Sequence, residues 1–215
     1  MKDKELHEVI KILKEEVKQW KRPVVGELFK DPYEILISTI LSLRTKDDTT
    51  EKASQRLFKL ANTPEKMILI PVEEVEKAIF PVGFYKRKAI NIIELSKVLI
   101  DEYEGKVPDD LDELLKLKGV GRKTANLTIT LGYNKPGICV DIHVHRITNR
   151  WGYVSTKDPE ETEFALRDKL PKEYWLDIND LLVCYGQNLC KPISPFCSQC
   201  KIKQFCKQID VDKTR

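Results

Sequence analysis

The chain has 215 residues, of which 41% are hydrophobic and 33% charged, and its 37 basic against 34 acidic residues leave a formal charge of +3. At roughly 150 residues per domain this allows one large domain or two small ones, with enough apolar surface for a core; the charge surplus is too small for a disordered chain and too small to diagnose a nucleic-acid partner by itself. Charges interrupt every apolar stretch well short of the ~18 residues of a membrane span, and Met1-Lys2-Asp3-Lys4-Glu5 leads into no apolar segment, so neither a membrane protein nor a secreted one is expected.

Taken in chain order, the pattern is helix after helix. Leu6, Ile10, Leu13, Val17 and Trp20 recur at helical spacing and predict an amphipathic helix ending near Lys21-Arg22-Pro23. A second helix, 32–44, is apolar nearly all round through Ile35, Leu36, Ile37, Ile40, Leu41 and Leu43, which predicts burial. Helices follow near 48–60, 64–69, 72–80 and 86–104; Gly105 is a stop signal for the last of them. Asp109 and Asp110 can cap a short helix to about 116, and Gly119-Val120-Gly121 forces a turn. Helices at about 122–132, 142–150, 160–170 and 172–188 then lead into a cysteine-rich tail that reads as loop. There is no strand and crossover-helix alternation, so the expected class is all-α.

The most informative segment is Leu117-Lys118-Gly119-Val120-Gly121-Arg122-Lys123-Thr124-Ala125-Asn126. Two glycines around one apolar residue make a tight turn between helices, with Val120 as a buried pin. Glycines also allow close approach to a ligand, and a helix N-terminus favours an anion such as a phosphate, to which Lys118 and Arg122 add charge. A plain helix joint with incidental basic residues fits the same composition. From Thr124 to Tyr133 no residue is charged, so Lys123 stands at the N-terminal end of a helix expected to be buried. The helix dipole, Arg122 and partial desolvation disfavour its protonated form, which suits a Schiff-base nucleophile. A phosphate contact is the other role open to it. Asp141 on its own reads as a helix N-cap.

Six cysteines are present, and four of them, Cys190, Cys197, Cys200 and Cys206, form a C-x6-C-x2-C-x5-C run. Four thiolates on one short loop can surround a metal; by generic chemistry zinc and an iron–sulfur cluster are nearly balanced. Cys139 and Cys184 lie among apolar residues and read as buried thiols.

Residues 117–126, Pro136-Gly137, Val140-Asp141-Ile142-His143-Val144-His145-Arg146 and the cysteine run together resemble the endonuclease III family of DNA glycosylases, in the same order along the chain. The resemblance implies a two-lobed helix–hairpin–helix glycosylase fold. One lobe, 25–136, would be a six-helix barrel ending in the hairpin; the other, 1–24 plus 137–215, would carry a [4Fe–4S] cluster on the four cysteines. Double-stranded DNA would lie in the cleft between them, with Lys123 as nucleophile and Asp141 as its partner across the mouth.

The remaining implied contacts are Arg44, Phe84, Lys88, Lys118, Gly119, Gly121, Arg122, His143 and Lys191. Gly83-Phe84-Tyr85-Lys86-Arg87-Lys88-Ala89 reads either as a solvated helix start or, by resemblance, as a minor-groove turn with Phe84 wedged beside the extruded nucleotide. Leu41-Ser42-Leu43-Arg44-Thr45-Lys46-Asp47 aligns with the family's other gap-filling loop, where most relatives have Gln in place of Arg44; the amide's acceptor is lost, so contacts to the orphaned base differ. His143 reads equally as a packed histidine. Lys191 is the single basic residue of the 191–196 loop, fewer than relatives often place there, with Lys201 and Lys203 nearby.

The implied activity is a bifunctional glycosylase and abasic-site lyase acting on oxidised pyrimidines, as a monomer in a prokaryotic cytoplasm alongside the nucleoid. The competing readings are a monofunctional uracil or mismatched-thymine glycosylase, and a non-enzymatic iron–sulfur DNA-binding protein.

Overall fold

Every regular element among the described residues is helical, as the periodicity predicts. The computed structural model describes residues 3–21, 25 and 28–215, so the expected end of the first helix at Arg22 and Pro23 lies outside the described residues. Contacts divide the chain into a central unit, Val24–Gly137, and a split unit, Met1–Pro23 with Ile138–Arg215.

The split unit begins with α1, Asp3–Glu16. Its predicted stripe is real: Leu6, Val9, Ile10 and Leu13 are sealed from solvent, and Val17 continues it in a 3-10 turn. Trp20 meets Tyr185 edge to face at 5.9 Å.

In the central unit, Asp31 starts α2, Pro32–Ser42, by accepting the Tyr33 amide at 2.9 Å and the Glu34 amide at 3.2 Å. Such a cap is worth about 1 kcal/mol. Ile35, Leu36, Ile37 and Leu41 are fully buried, each contributing about 1.5–3 kcal/mol of transfer free energy. Around α2 stand α3 (Asp47–Leu60), α4 (Pro64–Met67), α5 (Val72–Ile79), the long α6 (Tyr85–Tyr103), α7 (Leu111–Lys116) and α8 (Arg122–Tyr133). The most extensive packing is between α2 and α8. It is close because α8 carries small residues there: a Cβ on Gly132 would lie 3.2 Å from Pro32 Cα. Buried threonines on α8 satisfy themselves locally, as when Thr128 Oγ1 donates to the Thr124 carbonyl at 2.9 Å.

The split unit resumes with α9 (Ile142–Arg150), α10 (Pro159–Lys169) and α11 (Ile178–Asn188). Val144, Ile147, Trp151, Leu182 and Tyr185 close its core against the α1 stripe, with α11 packed on both α1 and α9. The helix expected over 172–188 is broken into a 3-10 turn, Lys172–Tyr174, and α11. The cause is Trp175. Its indole N–H donates to the Leu170 carbonyl at 2.8 Å and the Arg167 guanidinium lies 5.4 Å from its ring, a fixed seat that a continuous helix would not provide.

Candidate functional site

Asp110 caps α7 by accepting the amides of Asp112 at 2.9 Å and Glu113 at 3.1 Å. The chain then turns: the Val120 amide donates to the Leu117 carbonyl at 3.0 Å, and Gly119 takes φ +82°, which only glycine adopts without strain. A Cβ on Gly119 would also lie 2.4 Å from Asn91 Nδ2 on α6. Val120 is buried, the pin that the sequence predicts. Gly121 is exposed, and a Cβ there would meet nothing within 4 Å. It serves as the N-cap of α8 with no side chain to cap the first amides. Arg122 and Lys123 are half-buried in that first turn, on a helix whose next three residues, Thr124, Ala125 and Asn126, are buried. Lys118 is exposed and paired with Glu94 of α6 at 2.8 Å.

Two further turns of the central unit interlock. Arg44, between α2 and α3, and Phe84, at the N-terminus of α6, both have left-handed backbone, with φ +56° and +57°. The Arg44 guanidinium lies 5.9 Å from the Phe84 ring centre, and Phe84 is 63% exposed. The Gly83 amide donates to Thr45 Oγ1 at 3.1 Å, and a Cβ on Gly83 would sit 2.7 Å from the Arg44 carbonyl oxygen. Lys88 corrects the expectation of a direct DNA contact. It is 8% exposed, and its ammonium donates to the carbonyls of Leu41 at 2.9 Å and Leu43 at 2.7 Å. Burial pulls its pKa down to about 8. Of the run Lys86-Arg87-Lys88, the first two point to solvent and the third ties the turns together.

In the split unit, Asp141 is the N-cap of α9 and is 9% exposed. Its Oδ1 accepts the amides of both His143 and Val144 at 2.9 Å. One turn along, His143 Nδ1 meets Arg146 Nη2 at 3.0 Å, and a Cβ on Gly186 of α11 would lie 2.4 Å from that ring nitrogen, so glycine is what lets the imidazole pack there. Arg146 Nη2 also donates to the Cys190 carbonyl at 2.9 Å. Arg150 donates to the carbonyls of Lys191 and Pro192, both at 2.7 Å. The two arginines, four residues apart on α9, thus clamp the start of the cysteine loop. Sequence reading missed them because their acceptors are backbone carbonyls some 40 positions away. Lys191 is half-buried in that loop.

Cys190, Cys197, Cys200 and Cys206 line one largely apolar pocket with Trp151, Tyr185 and Ile202. Burial pushes the Cys206 thiol up to about 11 and raises those of Cys197 and Cys200. Hydrogen-bonding groups are nevertheless aimed at three of the sulfurs: Arg150 at Cys190 (3.5 Å), the Gln208 amide at Cys206 (3.4 Å) and the Tyr185 hydroxyl beside Cys200 (3.1 Å). Among the described residues, no three His, Cys, Asp or Glu side chains converge to hold a single metal ion. Cys139 and Cys184 are buried, as expected.

The family model described as "HhH-GPD superfamily base excision DNA repair protein" matches residues 37–172. Endonuclease III of Thermotoga maritima is 49% identical over 177 residues, covering 82% of this chain and 83% of that one. A non-covalent endonuclease III–DNA complex superposes with a TM-score of 0.87 at 34% identity, over 97% of this chain and 96% of that chain. A trapped endonuclease III–DNA covalent intermediate, an estranged-adenine complex, gives 0.83 at 36% identity over 94% and 95%. No helix among the described residues is long and apolar enough to cross a membrane. With the hairpin, the helix cap and the cysteine loop in place, these matches settle the lineage: the chain belongs to the endonuclease III family of HhH-GPD base excision DNA repair proteins.

Proposed function

We propose that this protein is a bifunctional DNA glycosylase and abasic-site lyase that removes oxidised pyrimidines from duplex DNA. The observation that carries the reading is Lys123, half-buried in the first turn of α8 directly after the Gly119 turn. As the family resemblance implies, a lysine at this position goes with the bifunctional branch rather than with the thymine-mismatch or adenine-removing enzymes.

The substrate base rotates out of the duplex, at an unstacking cost of a few kcal/mol offset in part by side chains filling the gap. Arg44 and Phe84 are the gap-filling groups in this reading, while the hairpin around Gly119 and Gly121 receives phosphate, with Lys118, Arg122 and Lys191 adding positive charge. His143 contributes through the Arg146 bond that fixes its ring. Asp141 is the second catalytic group of this reading: as the family resemblance implies, its carboxylate would help deprotonate the Lys123 amine and stabilise positive charge developing on the sugar. Both cap bonds fall on Oδ1, which leaves Oδ2 for this work. The amine nitrogen bonds to C1′ as the glycosidic bond breaks, and the base departs with that electron pair. Ring opening gives a Schiff base; loss of a C2′ proton then expels the 3′ phosphate, and water frees the lysine.

Cys190, Cys197, Cys200 and Cys206 would hold a [4Fe–4S] cluster. The fit rests on four sulfurs around one pocket and hydrogen-bonding groups aimed at three of them. When bound, the cluster would offset part of the charge of the four thiolates and tie together the loop that α9 clamps. A monomer acting in a prokaryotic cytoplasm, at the nucleoid, completes the reading.

Borohydride trapping tests it. A covalent band is expected on a duplex with one oxidised pyrimidine and on an abasic duplex. A band on the abasic duplex alone would reject the lesion class, and none on either, with tight binding, would reject the lysine chemistry.

Two substitutions separate roles within this site. Asp141→Ala and Asp141→Asn should both slow base release by about 10²–10⁴-fold, whereas only the alanine should cost about 1 kcal/mol in a thermal melt, because asparagine still caps α9. Glu94→Gln should release Lys118 from its ion pair. Duplex affinity should then rise by about two- to fivefold at low salt, the size of an exposed pair, and the log–log salt slope should steepen by about 0.9. A flat response in titrations across salt would remove Lys118 from the phosphate contacts.

A further inference from the structure

We propose that Lys88 is a positioning residue for duplex opening: it locks the turn bearing Arg44 onto the turn bearing Phe84, so that the two side chains enter DNA as one preassembled unit. The inference rests on the reading above in which Arg44 and Phe84 fill the gap left by the extruded nucleotide.

Four observations converge on it. Lys88 lies on α6 yet spends its ammonium on the carbonyls of Leu41 and Leu43, 47 and 45 positions earlier, where α2 ends and the Arg44 turn begins. The Gly83 amide reaches the same turn through Thr45 Oγ1 at 3.1 Å. The backbones approach so closely that a Cβ on Gly83 would stand 2.7 Å from the Arg44 carbonyl oxygen. Finally, the two exposed tips meet as a cation over a ring, 5.9 Å apart.

Both tips also hold left-handed backbone, φ +56° at Arg44 and +57° at Phe84, which residues with side chains keep only when their surroundings over-determine it. A helix cap alone would not need this arrangement, since an exposed lysine in the last turn of α2 serves the same carbonyls at lower cost. Burying an ammonium is expensive, and burial lowers its pKa even though the Leu41 and Leu43 carbonyls accept from it. What the buried amine gains is register between two turns that are distant in sequence.

The test uses the full protein and a duplex carrying 2-aminopurine beside a tetrahydrofuran abasic analogue, whose fluorescence rises on unstacking. Single-turnover base release from an oxidised-pyrimidine duplex, and cleavage of a single-stranded abasic oligonucleotide, are measured alongside. Lys88→Met should lower the fluorescence rise and slow duplex base release by about tenfold to a hundredfold, the scale of an ångström-level misplacement. Single-strand cleavage should stay within about twofold of the parent, since there is no duplex to open. The melting temperature should change little, because removal of a buried charge is offset by the loss of the donor to the Leu41 and Leu43 carbonyls.

Lys88→Arg should recover part of the signal, and Arg44→Ala should add little in the Lys88→Met background. Thr45→Val, which removes the Gly83 acceptor, should move the signal the same way and decides the matter if Lys88→Met fails to fold. A normal fluorescence rise in Lys88→Met, with Phe84→Ala defective, would overturn the lock and leave the wedge reading standing. A normal rise in Phe84→Ala would overturn both. Equal loss of duplex and single-strand activities, tracking a lower melting temperature, would reduce Lys88 to a structural residue.

Discussion

Lys123→Ala is expected to abolish the borohydride-trapped complex on every duplex and to slow base release by at least about 10³-fold, the usual order for loss of an activated nucleophile. Affinity for a duplex containing an uncleavable abasic analogue should change by less than about threefold, because one phosphate-scale contact among many is worth little at moderate salt. The pairing of outcomes is what discriminates. If Lys123 only gripped phosphate, binding would weaken and its salt slope would flatten while chemistry at saturating enzyme survived. Lys123→Arg sharpens the contrast, keeping positive charge at the α8 N-terminus but removing the nucleophilic amine; it should bind like the parent and trap nothing. Stability should hardly move in either variant, since the residue is only half-buried and the α8 core begins at Thr124.

The second large effect is expected from the cysteine loop. Cys197→Ser or Cys206→Ser should bleach the broad absorbance near 400 nm that the family leads one to expect, with loss of bound iron. The variant should lose more than about 3 kcal/mol, which for a chain of this size lowers the melting temperature by roughly 6–12 °C. Binding energy of a structural metal centre is folding energy, so the loss spreads from the loop into the α9 and α11 packing that it completes. Cys139→Ser and Cys184→Ser provide the contrast. Both residues are buried thiols of the same unit, but their loss should leave colour and iron intact and cost about 1–3 kcal/mol for a buried hydroxyl. One zinc per colourless protein molecule, measured by elemental analysis, would replace the cluster with an ion and would require the four sulfurs to draw together.

Much of this was legible in the residues alone, and the reason is periodicity. Helical spacing from Leu6 to Val17, the nearly unbroken apolar run of α2 and the paired glycines around Val120 each have one low-energy outcome, and the structure takes it. Charged side chains were harder. Lys86, Arg87 and Lys88 are indistinguishable by composition, and which one turns inward depends on the phase of α6 against the end of α2, a tertiary fact. Lys118 read as an unencumbered cation because its partner Glu94 lies on a different helix. The break at Trp175 escaped detection for the same reason, since an indole seat formed by Leu170 and Arg167 leaves no mark on local helical propensity. Arg146 and Arg150 received no role from the sequence, because only the folded loop supplies the carbonyls they hold.

The split unit is assembled from the two ends of the chain, with the α1 stripe packed against α11. During synthesis that stripe leaves the ribosome about 160 residues ahead of its partner, an interval of roughly 8–30 s at ordinary elongation rates. The central unit, continuous in sequence, can complete its own core in the meantime. Newborn chains therefore carry Leu6, Val9, Ile10, Leu13 and Val17 uncovered while the rest is being made. Chaperone demand and cluster insertion should both fall late, after release of the C-terminal segment, and a stalled or truncated message would yield a product with a finished middle and a sticky amino end.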